Sequence, residues 1–331
     1  MIRELERASL DAGAVPLTWA RSPAAAKIVN VGDALSAIIV AGMANLPVRH
    51  ANFDENCERL AAVGTIGHGM RNGLVHFWGS GLDATVNPLD PQASYALPPG
   101  TEFRVHAMRG PFSAHVLRGH GVPAPDVYGD PVYFLPRLMP MRDVAKTHEL
   151  GVVLHLTELD RRVPGSRPKA ELLRYNIPTE LEGAIRIITM YADDCLESIT
   201  EKIEEICACK AILSTSLHGI VIADAYNIPA TWFSFYDEGF CVVDVFDEGR
   251  RMDHRVRDLY AGLGRLKVPV YGGPRDAPTD WEAAIRSVQD RIEPTGFTAR
   301  RLYNAFPGPL AVSFLADVWP LRAEILEGVR L

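Results

Sequence analysis

Short apolar runs recur along the chain, each ending in a glycine-rich or polar turn and followed by an amphipathic segment. The first clear instance is AAKIVNVGDALSAIIVAGMANL, an apolar run, a turn at Asn30–Asp33, and then a helix with Asp33 placed as its cap. Residues 53–63 read as a helix or loop leading into GLVHFWGSGL, a buried strand that ends in glycines. FRVHAMRGPFSAHVLRGHG reads as a strand over 103–108, a turn at 109–111 and a helix over 112–118. This alternation predicts an α/β fold with parallel strands and with sites at the strands' carboxyl ends.

A proline-rich passage, GDPVYFLPRLMPMRD, interrupts the rhythm and places a boundary near Met141–His148. The second half repeats the pattern: a strand over 150–156, AIRIITM, a helix over 194–207, KAILSTSLHG with a helix after it, and PATWFSF. The expected architecture is two α/β halves facing a cleft, residues 1–145 and 146–296. A C-terminal helical tail, 297–331, is interrupted by Pro307, Pro309 and Pro320 and expected to pack back on the first half.

Composition narrows the class of partner. With 34 basic against 41 acidic residues the net charge is −7, so no nucleic-acid partner is expected and any anionic ligand must be held by a local cation cluster. The N-terminus MIRELERASLDAG lacks the apolar core of a secretory signal, and no apolar stretch is long enough to span a bilayer. The five cysteines form no C-x-x-C pair and read as reduced core thiols. These features predict a cytoplasmic protein, touching a membrane at most at its surface. No H-E-x-x-H or comparable spacing occurs, so no metal is expected.

Four segments carry candidate chemistry. STSLHG (Ser214, Thr215, Ser216, Leu217, His218, Gly219) ends a strand and opens a helix, offering backbone N–H groups and hydroxyls to an anion, with His218 able to donate a proton. Those hydroxyls could equally just cap the helix. Arg109, after a strand and before the Gly110–Pro111 turn, suits bidentate binding of carboxylate or phosphate, or else pairs with a nearby acid. WGSG (Trp78, Gly79, Ser80, Gly81) would let a ligand approach the backbone, although any tight turn uses the same letters, and it is no dinucleotide fingerprint. Asn30 and Asp33 form a turn and cap that could also meet substrate hydroxyls, and His155 sits at a strand end. The basic run 250–267 reads as solvated surface, or as a patch for an anionic lipid head group.

In order, NVGDALS, HFWGSGL, VHAMRGPFSAHVL, YGDPVYFLP, GVVLHL and ILSTSLHGIVIADAYNIPATWF resemble the polysaccharide pyruvyl transferase family, with the flavour of its bacterial exopolysaccharide branch. The resemblance implies two Rossmann-like domains around a cleft, an arrangement called glycosyltransferase-B-like, with the first domain on the acceptor side. It implies phosphoenolpyruvate as donor substrate, no resident cofactor, and an oligosaccharide acceptor, free or lipid-linked, pyruvylated as a cyclic ketal at the inner face of the cytoplasmic membrane. Arg109 would bind the donor and His218 would be the general acid, with Ser214–Gly219 and His155 around the donor and Asn30, Asp33 and Trp78–Gly81 on the acceptor or cleft side. Two departures stand out. Ser216 occupies the place where some relatives carry arginine before Leu-His, and FYDEGF lacks a lysine that some carry about twenty residues after the histidine. A sugar-nucleotide glycosyltransferase of the same shape, using Glu238 or Asp244 against a ribose, and a non-catalytic carbohydrate-binding relative remain open alternatives.

Overall fold

The computed structural model describes residues 3–289, 297 and 299–331. Its first part contains α1 (Glu4–Ala12), β1 (Val15–Thr18), β2 (Ile28–Asn30), α2 (Val31–Ala44), β3 (Val48–His50), β4 (Glu58–Ala61), β5 (Gly73–Trp78), β6 (Thr101–Ala107), α3 (Pro111–Gly119) and α4 (Leu135–Leu138). After it come β7 (His148–Leu154), β8 (Ile185–Thr189), β9 (Tyr191–Asp193), α5 (Leu196–Cys207), β10 (Cys209–Ser214), α6 (Leu217–Ala225), β11 (Ala230–Ser234), β12 (Gly239–Asp244), α7 (His254–Gly262), β13 (Lys267–Gly272), α8 (Trp281–Gln289) and α9 (Arg300–Asn304).

Two sheets organise these elements. One runs β3-β1-β4-β5-β6 and is parallel throughout. The other runs β12-β13-β11-β10-β7-β8, parallel except where β12 pairs antiparallel with β13. Strands such as β1 and β10 are near-continuous buried runs, as parallel strands covered on both faces must be. Segment 53–63, expected to be helix or loop, supplies strand β4. Among the described residues no helix is long and apolar enough to cross a membrane.

Two features tie the early and late segments together. β2 pairs antiparallel with β9, and Val31 N–H donates to the Met190 carbonyl at 2.8 Å, so the start of α2 is held against the second sheet's territory. Every residue of α2 except Asp33 is buried, which is why the helix is apolar on all sides. At the other contact, Asp258 on α7 accepts from Ser113 Oγ at 2.6 Å and from the Ser113 N–H at 3.0 Å. A Cβ at Gly110 would overlap the Asp258 carbonyl, so the glycine permits the approach of α7 to α3.

The C-terminal segment departs from the helical tail expected of it. Beyond α9 it carries only a 3₁₀ turn at Ala323–Ile325; the rest lies on the body of the protein without regular structure. Prolines 307, 309 and 320 remove the donors a helix would need. Side chains anchor it instead: Phe306 meets Trp78 edge-on at 4.8 Å, and Trp319 stacks on Phe134 at 5.4 Å. Trp78 Nε1 donates to the Leu302 carbonyl at 2.8 Å. Because Phe306 is fully buried, Phe306→Ala should lower stability by about 3–5 kcal/mol, read by urea unfolding with tryptophan fluorescence.

Candidate active site

Two helix starts define a cavity of about 220 Å³. Asn30 and Asp33 from the start of α2, and Ser216, Leu217 and His218 from the start of α6, line it together with Thr65, His155, Tyr191 and Arg255. Asn30, not Asp33, caps α2, its side chain accepting from the Gly32 N–H at 3.0 Å. That leaves the Asp33 carboxyl free to face the cavity.

α6 begins at Ser216 with no side-chain cap. Its first-turn N–H groups therefore lack the partner a capping oxygen would supply. Ser214 and Thr215 are buried behind the turn rather than beside a ligand. Ser214 Oγ lies 3.0 Å from the Val153 carbonyl and accepts from the Ser216 N–H, while Thr215 Oγ1 donates to Glu158 Oε2 at 2.6 Å. Gly219 is a packing glycine, where a Cβ would overlap Ser214 Oγ. Of this segment's polar side chains, Ser216 and His218 reach the cavity.

His218 sits unusually close to α2. A Cβ on Gly32 would overlap its Nδ1, so the imidazole lies directly on the helix backbone. Nε2 is buried with no hydrogen-bond partner, an arrangement that is costly unless something fills the place of that partner. Burial, then the positive charges of Arg255 and Arg109 and the nearby His155, push the His218 pKa down to about 3. At neutral pH the ring is uncharged. Asp33 shows the opposite displacement: burial pushes its carboxyl up to about 7, with Arg255 opposing. The resting cavity thus keeps its exchangeable proton on the carboxyl and not on the imidazole.

Arg255 belongs to the basic run 250–267, expected as solvated surface or a lipid-head-group patch, and it is the cation that faces this cavity. Its Nη2 lies 2.6 Å from Asp253 Oδ2 and its Nε 2.9 Å from Oδ1, a bidentate pair that fixes the guanidinium. Burial alone would raise the Asp253 carboxyl, but Arg255 outweighs it and holds it below the usual range. Nη1 reaches to 3.4 Å from His155 Nε2, while His155 Nδ1 is 2.8 Å from Thr157 Oγ1.

Arg109 stands behind the cavity. Its side chain is fully buried and lies 3.4 Å from Asp258. Nη1 donates at 2.6 Å to Thr65 Oγ1, and Thr65 is the residue that lines the cavity. Gly81 has no room for a Cβ because the Arg109 guanidinium packs on it. Trp78 is buried under the C-terminal segment, and Ser80 Oγ donates to the Ala62 carbonyl at 2.7 Å. Gly79, at φ +85°, packs against Pro131. None of Trp78, Gly79, Ser80 or Gly81 lines the cavity; the WGSG turn shapes the wall that carries Arg109.

The sequence model of the polysaccharide pyruvyl transferase family matches residues 30–236, more than half of the chain, and the chain belongs to that family. The matched region opens at Asn30 and includes both helix starts, but it stops short of Asp253 and Arg255. Comparison with curated proteins and with solved structures finds no match.

Two outcomes follow from this geometry. Gly32→Ala should displace the His218 ring, seen as a changed His218 side-chain NMR resonance, and should lower the melting temperature, because the roughly 0.5–1 kcal/mol that alanine gains in a helix does not offset the overlap of its Cβ with that buried ring, about 1–3 kcal/mol. For Asp33, the folded pKa near 7 lies above the unfolded value, so the folded state holds its proton longer. The charge then costs stability progressively from about pH 4 to pH 7 and by a constant amount above. The melting temperature of Asp33→Asn should match wild type near pH 4 and exceed it by a margin that grows up to pH 7.

Proposed function

We propose that this pyruvyl transferase moves the pyruvyl group of phosphoenolpyruvate onto a pair of hydroxyls of a polysaccharide acceptor, closing a cyclic ketal. The observation that carries the donor assignment is the cavity itself. It sets an anchored guanidinium and an uncapped helix start beside an imidazole whose Nε2 lacks a partner. At about 220 Å³ it is smaller than the roughly 300–1,000 Å³ typical of sites for drug-sized ligands. That scale favours a three-carbon phosphate over a sugar nucleotide.

Phosphoenolpyruvate presents a carboxylate and a phosphate on one enol carbon. Arg255 and the N–H groups at the start of α6 hold one anionic group, and Arg109, acting through Thr65, adds positive potential from behind. The donor's charge also changes who holds the proton. One negative charge about 4 Å away at an effective dielectric near 20 is worth about 4 kcal/mol, or about three pKa units. That is enough to bring His218 from about 3 toward neutrality, so the donor arrives together with a proton.

His218 then delivers that proton to the methylene carbon, and positive character develops at the neighbouring enol carbon. The first acceptor hydroxyl bonds there, its proton passing to the carboxylate of Asp33, which lines the same cavity. The second hydroxyl displaces phosphate from the same carbon: the new C–O bond forms, the bond to phosphate breaks, and the last proton leaves with the phosphate. No resident cofactor takes part. A lipid-carried acceptor would place the reaction at the inner face of the cytoplasmic membrane.

Incubation with phosphoenolpyruvate and candidate oligosaccharides should release phosphate and add one pyruvyl mass to the glycan. His218→Ala should lower kcat about a hundredfold or more, whereas Arg255→Ala should chiefly raise the donor KM, by about tenfold to a hundredfold. Thermal stabilisation by a nucleotide sugar and not by phosphoenolpyruvate would overturn the assignment.

A further inference from the structure

We infer that a second cavity, next to the first, is the acceptor's sugar-binding site. It measures about 440 Å³ and is lined by Trp232, Phe235, Tyr236, Arg250, Arg251 and Asp253, among others. The inference rests on the donor reading above only for the identity of what is bound next door; the geometry of the groove stands by itself.

The groove is a product of how β11 ends. β11 is a buried interior strand, and a turn closes it where the Tyr236 N–H donates to Ser234 Oγ at 3.0 Å. The turn brings Phe235 and Tyr236 out at the strand's carboxyl end, with ring centroids 4.0 Å apart and Tyr236 about half exposed at 52%. An exposed aromatic at this end of a parallel sheet contributes little to the core. It offers a flat apolar face of the kind that pairs with the C–H face of a pyranose ring.

The polar part of the lining suits the ring's edge. Asp237 is buried and pairs with Arg250 Nη1 at 2.8 Å, which anchors that guanidinium. Arg251 has no carboxylate partner among the described ion pairs; its guanidinium lies 5.4 Å from the Tyr236 ring centroid. An exposed aromatic with a guanidinium over its ring, its N–H groups turned to hydroxyls or an acidic substituent, describes a site for a sugar unit, neutral or uronic, rather than for a peptide or a lipid tail.

Position supplies the second argument. Asp253 lines this groove, and its carboxylate holds Arg255, which lines the small cavity. One ion pair therefore forms the wall between the two. A sugar in this groove meets Asp253, whose ion pair with Arg255 leads to the donor cavity, and the family implies a polysaccharide acceptor. Tyr236 and Arg251 would then be specificity-determining residues, outside the chemistry itself.

The test measures glycan binding apart from turnover. Saturation-transfer NMR with a panel of di- to hexasaccharides, neutral and uronate-containing, is run on wild type, Tyr236→Ala and Arg251→Gln, with phosphoenolpyruvate binding followed separately by calorimetry. Both substitutions fall on surface residues, and circular dichroism checks the fold. Acceptor affinity should fall about tenfold in Tyr236→Ala, with donor affinity unchanged. Preferential loss of the uronate-containing sugars in Arg251→Gln would assign the acidic form of the ligand, and equal loss of both kinds the neutral form. If no member of the panel binds, or if both variants bind as wild type does, the groove is not the acceptor site. Glycan binding that depends on Tyr236 without any phosphoenolpyruvate binding would keep the groove and remove the donor reading.

Discussion

Two helix N-termini meeting at one point set everything else at this site. The first turn of α2 and the first turn of α6 approach so closely that His218 rests on the backbone at Gly32. Both helices direct the positive ends of their dipoles toward the same small space, and Arg255 and Arg109 add charge from two sides. An imidazole there must be neutral, and the proton settles on the carboxyl that the same helix start carries. Helix N-termini and guanidinium groups together give the cavity a positive field.

The core and this arrangement are one construction. α2 is covered on every side, so its position is not adjustable, and its one residue short of full burial is Asp33, whose carboxyl faces the cavity. The β2–β9 ladder holds the start of α2 against the segment from which Tyr191 lines the opposite wall. At the back, Asp258 reaches from α7 to Arg109 and Ser113. Buried pairs of this kind are weak sources of net stability but are costly to break. Here the pair fixes how α7 lies against α3, and α7 begins with Arg255 one residue into the helix.

The candidate site was legible in sequence to the extent that it depended on local capping chemistry. NVGD and STSLHG announce helix starts after apolar strands, and both starts border the cavity. What could not be read was which way a strand-end residue turns. Arg109 looked like a cleft residue because it follows β6, yet its direction is decided by Asp258, far along the chain. Trp78 and its glycines looked available because nothing nearby in sequence covers them; the cover is Leu302 and Phe306. Arg255 was hidden for the converse reason. In GRRMDHRVRD any arginine can be solvated, and only the folded loop shows Asp253 turning this one inward. The alternation of strands and helices survived because burial on both faces imposes it locally, whereas the tail's expected helix did not, since prolines and aromatic anchoring outweighed propensity.

The two departures from the family pattern find a common physical account in Arg255. Where some relatives place arginine before Leu-His, Ser216 is small and leaves the α6 start open. Where some place a lysine beyond the histidine, the exposed Glu238 would repel an anion if it faced inward. A guanidinium entering from the loop before α7 restores positive charge without occupying either place. The glycosyltransferase alternative needs a carboxylate to grip a ribose. Asp244, however, spends an oxygen on the Phe246 N–H at 2.9 Å, and neither it nor Glu238 lines either cavity. Asp253 does line the larger cavity, but its carboxylate is already engaged by Arg255 on both oxygens. A nucleotide would have to break that pair to be held, and doing so would release the guanidinium that the pair fixes at the small cavity.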